Sequence, residues 1–357
     1  MPQTTKLALL DDYQKVALRM ADWDRLKKRG VEITVFHEAF KSVDEAAQKL
    51  APFEILGLLR ERTAFPRALI EKLPNLKFMV LTGARAASLD DKAAAERGIP
   101  ISTTPGGGSN ASTAELGWAL LMMCARDLAK AERLARLGKW HDGIEQMVVL
   151  DGKRLGIIGL GKLGSRAARY GKAFGMDVVA WSQNLTPEKA EAGGAKYVSK
   201  DELLATSDFV SIHLALSDRT RGLIGASDLA KMKKTAILVN TARGPIVDEA
   251  ALIAALKNRT IAHAGLDVYD KEPMSADHPL TKLDNVTLIP HLGYVVEDSY
   301  RHFYAGTIED IEAWLDGKPI NVINHNCVEY TWVSFIWRFV NSSSPRSVVL
   351  WNDAVRA

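Results

Sequence analysis

The sequence is poor in the features that mark several common classes of protein. Only two cysteines occur in 357 residues, Cys124 and Cys327, and their spacing matches neither a CxxC pair nor a zinc site. The first apolar run, Leu7 to Leu10, is shorter than the ~7–15 apolar residues of a signal peptide, and the run from Cys327 to Val340 is shorter than a membrane span of ~20 residues. These absences exclude a disulfide scaffold and predict a cytoplasmic protein with neither a metal site nor a membrane segment.

An excess of charge of one sign is also lacking. Basic residues number 46 and acidic residues 43, for a net charge of +3, and no block of like charges stands out. A nucleic-acid partner is therefore not expected. What the sequence does have is 47% apolar and 25% charged residues, the composition of an ordinary globular protein. Its length is about twice the usual ~150 residues of a domain, which predicts two domains.

Short apolar runs alternate with amphipathic stretches from the N-terminus onward. Strands separated by helices form a parallel sheet covered on both faces, which is typical of the α/β class. A turn-rich segment over residues 103–110 breaks the pattern before an apolar-striped helix, expected to begin near Ala111 and run past Arg126. The strands predicted before this break are Lys6–Leu10, Val31–Phe36, Ile55–Leu59, Lys77–Leu81 and Ile99–Ser102.

The alternation resumes in a second series of six predicted strands. Six strands with intervening helices are typical of a doubly wound dinucleotide-binding domain. The predicted strands are Arg154–Ile158, Asp177–Trp181, Phe209–His213, Ala236–Asn240, Ile261–Asp267 and Val286–Pro290.

A glycine-rich segment joins the first strand of this series to its helix. Gly159, Gly161 and Gly164 form a GxGxxG pattern directly after the strand, and a helix is predicted over Ser165–Phe174. The first glycine permits a tight turn, the second lets a pyrophosphate approach the backbone, and the third lets the helix pack close to the strand. The same pattern occurs in plain glycine-rich turns, but its position between strand and helix favours a dinucleotide site.

The position that would read the ribose of such a cofactor leaves NAD and NADP both open. A domain that binds NAD usually carries Asp or Glu about 20 residues beyond the glycine pattern, at the end of the next strand. Here Ser182 follows that strand, with no carboxylate to repel a 2′-phosphate and no adjacent Arg to bind one.

Three further segments carry a resemblance to a known family. In chain order they read NTARG over Asn240–Gly244, GLDVYDKEP over Gly265–Pro273, and PHLG over Pro290–Gly293. Their sequences and spacing resemble the signature segments of the D-isomer-specific 2-hydroxyacid dehydrogenases, the family of phosphoglycerate dehydrogenase and of glyoxylate and hydroxypyruvate reductases. The resemblance covers roughly residues 5 to 325.

The resemblance implies an oxidoreductase that moves a hydride between NAD(P)(H) and C2 of a small D-2-hydroxy acid or 2-keto acid. Hydride delivery to a keto carbon leaves negative charge on the oxygen, so a proton donor and a cation should converge there. By the resemblance, His291 would be the general acid and base, Glu272 would hold its ring and favour its charged form, and Arg243 would orient the substrate. Each residue taken singly also fits a structural role.

The resemblance also implies a set of cofactor contacts. Asp267 would accept a hydrogen bond from the nicotinamide carboxamide, and His213 would contact the adenosine side of the cofactor. Ala242 stands where the family more often has Ser, and Tyr294 follows Gly293 where the family commonly has a small residue. The expected cofactor-binding residues are Gly159, Gly161, Lys162, Leu163, Gly164, Ser182, His213, Thr241, Ala242, Asp267 and Gly293.

Substrate-binding residues are expected in the first part of the chain. Thr82, Gly83 and Ala84 match the family's loop whose backbone N–H groups hold the substrate carboxylate. Arg60 follows the preceding predicted strand and either recognises a second anionic group or belongs to a solvated charged turn.

The fold that follows is α/β, with two doubly wound parallel-sheet domains and the active site in the cleft between them. A flavodoxin-like substrate domain would take residues 1–106 and 291–325, and a Rossmann-type NAD(P)-binding domain residues 107–290. Residues 326–357 match no part of the family pattern and form an atypical C-terminal tail. A homodimer is implied by the resemblance, and the helix from Ala111 lies either at its interface or in the core.

Two other functions use the same scaffold. One is a cofactor-sensing binding module of the co-repressor type, in which partner docking replaces turnover. The other is a phosphite or formate dehydrogenase, whose oxidation needs no proton donation to a keto oxygen. Activity on keto acids distinguishes the dehydrogenase of 2-hydroxy acids from both.

Overall fold

The computed structural model describes residues 4–84, 86, 88–104, 111–144 and 147–324. Contacts divide the chain into two units: unit 1 takes the described residues up to 107 and from 297 onward, and unit 2 takes those between 108 and 296. The expected tail over 326–357 and residues 105–110 of the expected crossing lie outside the described residues. Within the described part, no helix is long and apolar enough to cross a membrane.

Unit 1 contains five strands and six helices in its described part. The strands are β1 (Thr5–Leu9), β2 (Val31–Val35), β3 (Ile55–Leu58), β4 (Phe78–Thr82) and β5 (Ile101–Thr104). The helices are α1 (Ala17–Met20), α2 (Asp24–Lys27), α3 (Val43–Leu50), α4 (Arg67–Ile70), α5 (Asp91–Glu96) and, after unit 2, α13 (Glu297–Leu315). The strands form one parallel sheet with the order β2-β1-β3-β4-β5, the flavodoxin-like arrangement.

Unit 2 is a larger parallel α/β structure. Its helices are α6 (Ala111–Ala125), α7 (Leu128–Arg136), α8 (Lys162–Ala173), α9 (Pro187–Ala192), α10 (Lys200–Thr206), α11 (Ala226–Leu229) and α12 (Glu249–Lys257). Its strands are β6 (Arg154–Ile158), β7 (Asp177–Trp181), β8 (Lys196–Tyr197), β9 (Phe209–Ile212), β10 (Ile237–Asn240), β11 (His263–Leu266) and β12 (Val286–Leu288). They form one sheet with the order β12-β11-β10-β9-β6-β7-β8.

The central strands of both sheets consist mainly of apolar residues and are buried on both faces. Every residue of β3, β4, β9 and β10 is buried, as parallel sheets covered by helices require. In unit 2, β6 lies between β7 and β9, so the strand order reverses beside β6. Ligands of doubly wound sheets bind at the carboxyl ends of the strands at such a reversal.

All eleven predicted strands are present, and a twelfth was missed. Strand β8 has only two residues, Lys196 and Tyr197, both exposed, and it pairs with Val179 and Ala180 at the edge of the unit 2 sheet. A two-residue edge strand carries no alternating or continuous apolar pattern. Its pairing depends on the position of β7, which the local sequence does not specify.

Two boundaries differ from the prediction in ways that packing explains. Thr103 and Thr104, assigned to the turn-rich break, instead complete β5 and pair with Leu81 and Thr82 of β4. The helix expected to continue past Arg126 ends at Ala125, and α7 starts after Asp127, whose backbone is left-handed at φ 43° and ψ 40°. One face of α6, including Leu120 and Leu121, is buried in the core of unit 2.

Candidate active site

His291 and Glu272 lie in contact in unit 2. Nδ1 of His291, just after β12, is 2.6 Å from Oε2 of Glu272, in the loop after β11. The side chains of His291 and Glu272 are 13% and 25% exposed, so solvent competes little for the contact. The carboxylate fixes the imidazole through Nδ1, which makes Nε2 the nitrogen suited to exchange a proton with a ligand.

A second donor holds the Glu272 carboxylate from the other side. Its Oε1 accepts a hydrogen bond from the backbone N–H of Tyr269 at 3.0 Å. The buried Tyr269 hydroxyl donates to the carbonyl of Ile289 at 2.9 Å and contacts that of Leu266 at 3.2 Å, so this ring links the ends of β11 and β12. Burial, with Asp267 and Glu272 nearby, raises the pKa of the Tyr269 phenol. The phenol is therefore uncharged, and its role is to connect the ends of the two strands.

The loop that carries His291 is anchored on Asp267, which follows β11. Its fully buried carboxylate accepts hydrogen bonds from the backbone N–H groups of Leu292, at 2.6 Å, and Gly293, at 3.2 Å. Burial raises the pKa of Asp267 to about 6, and the two N–H donors partly offset that rise. His291 itself has a left-handed backbone with φ 53°. Asp267 thus stabilises the turn that presents the imidazole.

Arg243 occupies the turn after β10, and Asn240 shapes that turn. The Asn240 side chain donates to the Arg243 carbonyl at 2.9 Å and accepts from the Ala242 N–H at 3.0 Å. A Cβ on Gly244 would lie 2.1 Å from the carbonyl carbon of Tyr269. Glycine at this position therefore lets the Arg243 turn pack directly against the segment that holds Glu272.

The glycine segment after β6 has space where a dinucleotide would need it. Gly159 has φ +98°, and a Cβ there would lie 2.8 Å from the carbonyl oxygen of His213. A Cβ on Gly164 would lie 2.1 Å from the Gly159 carbonyl oxygen, so α8 packs tightly on the turn. Gly161, in contrast, has no atom within 4 Å of an added Cβ. The backbone is therefore open at the helix N-terminus, which fits a pyrophosphate group.

The other expected cofactor positions differ in their surroundings. Thr241 is buried, and its hydroxyl lies 3.3 Å from the Cβ position of Gly117 on α6, so this side chain packs into unit 2. Ser182 is half-buried at the end of β7, Leu163 is half-buried and Lys162 is exposed on the first turn of α8.

His213 lies beside the glycine turn at the end of β9. Its backbone N–H donates to the Ile158 carbonyl at 2.8 Å, and its Nε2 contacts the Ser211 hydroxyl at 2.9 Å. Burial lowers the pKa of His213 to about 4. The ring is therefore neutral at physiological pH, which suits a contact role better than proton exchange.

The expected substrate residues lie in unit 1. The Arg60 backbone has φ +55°, and its N–H donates to the Thr82 hydroxyl at 2.9 Å. The Gly83 N–H donates to the hydroxyl of Thr104 at 3.0 Å, so this donor is used within the fold. A Cβ on Gly83 would lie 1.7 Å from Nη1 of Arg60, which means that the guanidinium lies over the glycine. Ala84 is exposed, and Arg85 lies outside the described residues.

Sequence reasoning missed three residues that support these groups. Tyr269 and Asn240 lie within the quoted segments but were given no role, and Asp267 was expected to contact only the cofactor. A hydroxyl or amide side chain inside a signature segment suggests that it holds a neighbouring catalytic residue in place. The sequence alone does not show which group on another strand or loop it will bind. Among the described residues, no group of three possible metal ligands comes together.

Comparisons with known proteins relate this chain to a family of dehydrogenases. A sequence model of the NAD-binding domain of D-isomer specific 2-hydroxyacid dehydrogenases matches residues 118–293. This match, with the open glycine segment, identifies the cofactor as NAD or NADP.

Three relatives extend the similarity to most of the chain. A glyoxylate reductase from Aeropyrum pernix is 41% identical over 269 residues, which are 73% of this chain and 80% of the relative. A hydroxypyruvate reductase from Blautia hydrogenotrophica is 31% identical over 89% of this chain and 99% of its own. The crystal structure of a phosphoglycerate oxidoreductase from Vibrio cholerae O395 superimposes with a TM-score of 0.83 at 34% identity, covering 88% of this chain and 99% of its own. The chain therefore belongs to the D-isomer-specific 2-hydroxyacid dehydrogenases, a family of NAD-dependent oxidoreductases.

Proposed function

We propose that this protein reduces a small 2-keto acid to the D-2-hydroxy acid, and catalyses the reverse oxidation, with Arg243, Glu272 and His291 as its catalytic machinery. The 2.6 Å contact between Nδ1 of His291 and Glu272 carries this proposal. A carboxylate on one imidazole nitrogen makes the other an effective proton donor to a developing alkoxide. When bound, the nicotinamide cofactor supplies or accepts the hydride.

His291 would donate the proton from Nε2 to the keto oxygen during reduction and remove it again in the oxidation. Glu272 would act as the positioning residue, because it holds Nδ1 on one oxygen and the Tyr269 N–H on the other. Low exposure of both side chains strengthens their electrostatic interaction, since little water screens it.

Arg243 would bind the substrate carboxylate and stabilise the charge on the keto oxygen. A guanidinium suits this task, because its planar fork forms paired hydrogen bonds with carboxylate oxygens. The Asn240 hydrogen bonds and the close packing at Gly244 support a fixed backbone for this arginine. By the family resemblance, the backbone of Thr82, Gly83 and Ala84 in unit 1 would hold the substrate carboxylate, and Arg60 would recognise a second anionic group.

The substrate class is proposed from the similar proteins. Glyoxylate, hydroxypyruvate and phosphoglycerate are the acids in the names of the three relatives, and each offers a carboxylate next to a carbonyl or hydroxyl carbon. We infer that this chain acts on an acid of the same small size. Tyr294 contacts the edge of His291, with ring centroids 6.0 Å apart, and would line the substrate side of the imidazole.

The test is oxidation of NADH and of NADPH, measured in parallel against glyoxylate, hydroxypyruvate and longer 2-keto acids. Wild type should turn over at least one acid, and His291→Ala should lower kcat by about 10²–10⁴-fold, the usual contribution of a general acid. His302→Ala, at an exposed position of α13, is the matched control and should keep wild-type turnover. Tight binding of cofactor without turnover of any acid would reject the proposal in favour of a sensing module.

We also propose that the protein is a homodimer. Helix α7 has no buried residue in the described chain, although its polar and apolar residues segregate strongly. Large apolar side chains are exposed on α7 and just after it: Leu128, Leu137, Trp140, Met147 and Val149. Exposed apolar patches of this kind mark interaction surfaces, and a second copy of the chain is the partner that the family resemblance favours.

A further inference from the structure

Helix α8 carries a stripe of positive charge along one side. Its buried face is made of small residues: Gly164, Ala167, Ala168 and Gly171. Lys162, Arg166, Arg169 and Lys172 follow one another at spacings of four, three and three residues, which places them on a common side of the helix. The α8 cation stripe, defined by these four residues, therefore runs from the helix N-terminus almost to its end.

The N-terminal part of the stripe lines a groove. The groove has a volume of about 370 Å³ and is lined by Lys162, Ser165, Arg166, Arg169, Ala192, Gly193 and Gly194. No acidic side chain is among these lining residues. Gly193 and Gly194, after α9, present no side chains, so the opposite wall leaves room for a ligand that approaches the cations.

The stripe differs in its pairing from several other cations of unit 2. In the described part of the chain, no ion pair involves Lys162, Arg166 or Arg169. Elsewhere in unit 2 cations pair closely with carboxylates: Arg154 with Asp177 at 2.7 Å, Lys200 with Asp228 at 2.9 Å and Lys231 with Asp201 at 2.6 Å. The positive charge of the groove is thus left uncompensated by described side chains.

This placement of charge is unfavourable for the helix itself. Like charges three and four residues apart repel, and cations in the first turn oppose the helix dipole. The first turn of α8 has no acidic residue, whereas α9, α10 and α12 each begin with one or two. An anion bound in the groove would remove both penalties.

The pyrophosphate of the cofactor does not account for the whole stripe. That group is expected at the open backbone of Gly161, next to Lys162. At ~1.5 Å of rise per residue, Arg166 lies about 6 Å and Arg169 about 10 Å further along the helix. Two guanidinium groups are therefore left for a second anionic group.

We propose that the α8 groove binds an additional phosphate-class anion through Arg166 and Arg169, with the Ser165 hydroxyl as a further donor. Guanidinium groups recognise phosphate oxygens by paired, charge-assisted hydrogen bonds. The phosphoryl group has two possible sources: the 2′-phosphate of NADPH, or a separate phosphorylated small molecule. Binding in this groove does not require the catalytic roles of Arg243, Glu272 and His291.

The first experiment titrates inorganic pyrophosphate into the full-length protein saturated with NADH, using calorimetry. Wild type should bind, and Arg166→Gln and Arg169→Gln should each weaken binding about tenfold or more. Lys257→Gln, at an exposed position of α12, should change binding less than twofold. This outcome shows that the groove binds a phosphate-class anion beside NADH, and the second experiment distinguishes the two sources of that anion.

The second experiment compares NADH and NADPH dissociation constants for the same four proteins. If both arginine variants lose NADPH affinity but keep NADH affinity, the groove serves the 2′-phosphate. Thermal melts provide an independent readout: phosphate should raise the melting temperature of wild type and Lys257→Gln, but not that of the arginine variants. The proposal is overturned if neither arginine variant changes the binding of pyrophosphate or NADPH relative to Lys257→Gln.

Discussion

Glu272 accepts two donors at once, the His291 ring and the Tyr269 N–H. In Glu272→Gln the amide has only one oxygen for these two donors, so it keeps both contacts only if its NH2 group donates to a neutral imidazole that carries no proton on Nδ1. We expect kcat to fall about 10²-fold because the carboxylate that pairs with the proton-donating imidazole is gone. Cofactor affinity should stay within twofold of wild type, because no cofactor-binding residue changes. Steady-state kinetics and NADH fluorescence titration measure the two quantities.

The chain offers a matched control for this substitution. Glu249 contacts Nε2 of His278 at 3.1 Å, in the same unit and with similarly low exposure of both side chains. Glu249→Gln removes a carboxylate from a histidine outside the candidate site and should leave kcat unchanged. An equal loss of kcat in both variants would mean that the effect of Glu272→Gln is a general loss of stability.

The residues of this site could be predicted from the sequence only in part. Signature segments gave Arg243, Glu272 and His291 as candidates, because the chemistry needs a cation, a carboxylate and a titratable base. The support from Tyr269 and Asp267 could not be predicted, since it depends on β11 and β12 lying side by side. A backbone N–H group that binds a buried carboxylate does not require a particular side chain, so the sequence shows no pattern for it.

At the scale of elements, two glycines at the junction of β6 and α8 have different roles. In Gly164→Ala, the new methyl would lie 2.1 Å from the Gly159 carbonyl oxygen, so the helix must shift, at a cost of about 1–3 kcal/mol. In Gly161→Ala, the new methyl meets no atom within 4 Å, so we expect the variant to have the same melting temperature as wild type. The methyl would occupy the space through which the pyrophosphate approaches the backbone, so NADH binding should be at least tenfold weaker. Thermal melts and NADH titrations distinguish the two variants.

Either of two results would contradict this account of the glycine segment. One is a Gly161→Ala protein that melts as low as Gly164→Ala, which would mean that Gly161 is needed by the fold. The other is a Gly161→Ala protein with wild-type NADH affinity, which would mean that the cofactor does not approach this backbone.

The buried strands were the most predictable elements of the fold. The eleven predicted strands are runs of Val, Ile, Leu and similar residues between turn signals, and this pattern follows directly from burial on both faces. The two-residue β8 and the break at Asp127 were not predictable, because each depends on local geometry that many sequences tolerate. Strand boundaries differ from the predicted ones by one or two residues where a neighbouring strand determines the last pair, as at Thr104.

At the scale of the whole molecule, buried titratable groups should make the free energy of unfolding depend on pH. Asp310 on α13 is fully buried, and its Oδ1 accepts a hydrogen bond from Asn321 at 2.9 Å. Burial raises its pKa from 3.8 to about 7. The native state therefore holds a proton that the unfolded state releases between pH ~4 and ~7, so this contribution to stability is lost as the pH rises through that range.

Asp310→Asn removes this titration. The unfolding free energy of wild type minus that of the variant should decrease from pH 5 to pH 8, by on the order of 2 kcal/mol. Urea denaturation at several pH values measures the difference. A difference that is constant with pH would show that Asp310 titrates alike in the folded and unfolded chain.

His263 should give the opposite slope. Burial, helped by Arg259, lowers its pKa from 6.5 to about 4. The unfolded state then binds a proton between pH ~6.5 and ~4 that the native state excludes, so this contribution is lost as the pH falls. In the same urea series, the unfolding free energy of wild type minus that of His263→Gln should decrease from pH 7 to pH 4. The decrease should be smaller than the change for Asp310, because the His263 ring is partly exposed. Slopes of the same sign would reject one of the two assignments.

The proposed homodimer would use the apolar surface on and beyond α7. The Trp140 side chain is 75% exposed and stacks on His141, beside a groove of about 490 Å³ lined by Ala131, Ala135, Trp140, His141, Ile144 and Met147. If two copies bury this surface, the loss of apolar contact and the added charge in Trp140→Glu should separate them. Light scattering should then give a dimer for wild type, a monomer for Trp140→Glu, and a dimer for the control Leu18→Glu, whose side chain is 57% exposed in unit 1. A monomeric wild type, or a Trp140→Glu protein that stays dimeric, would place no subunit interface on this surface.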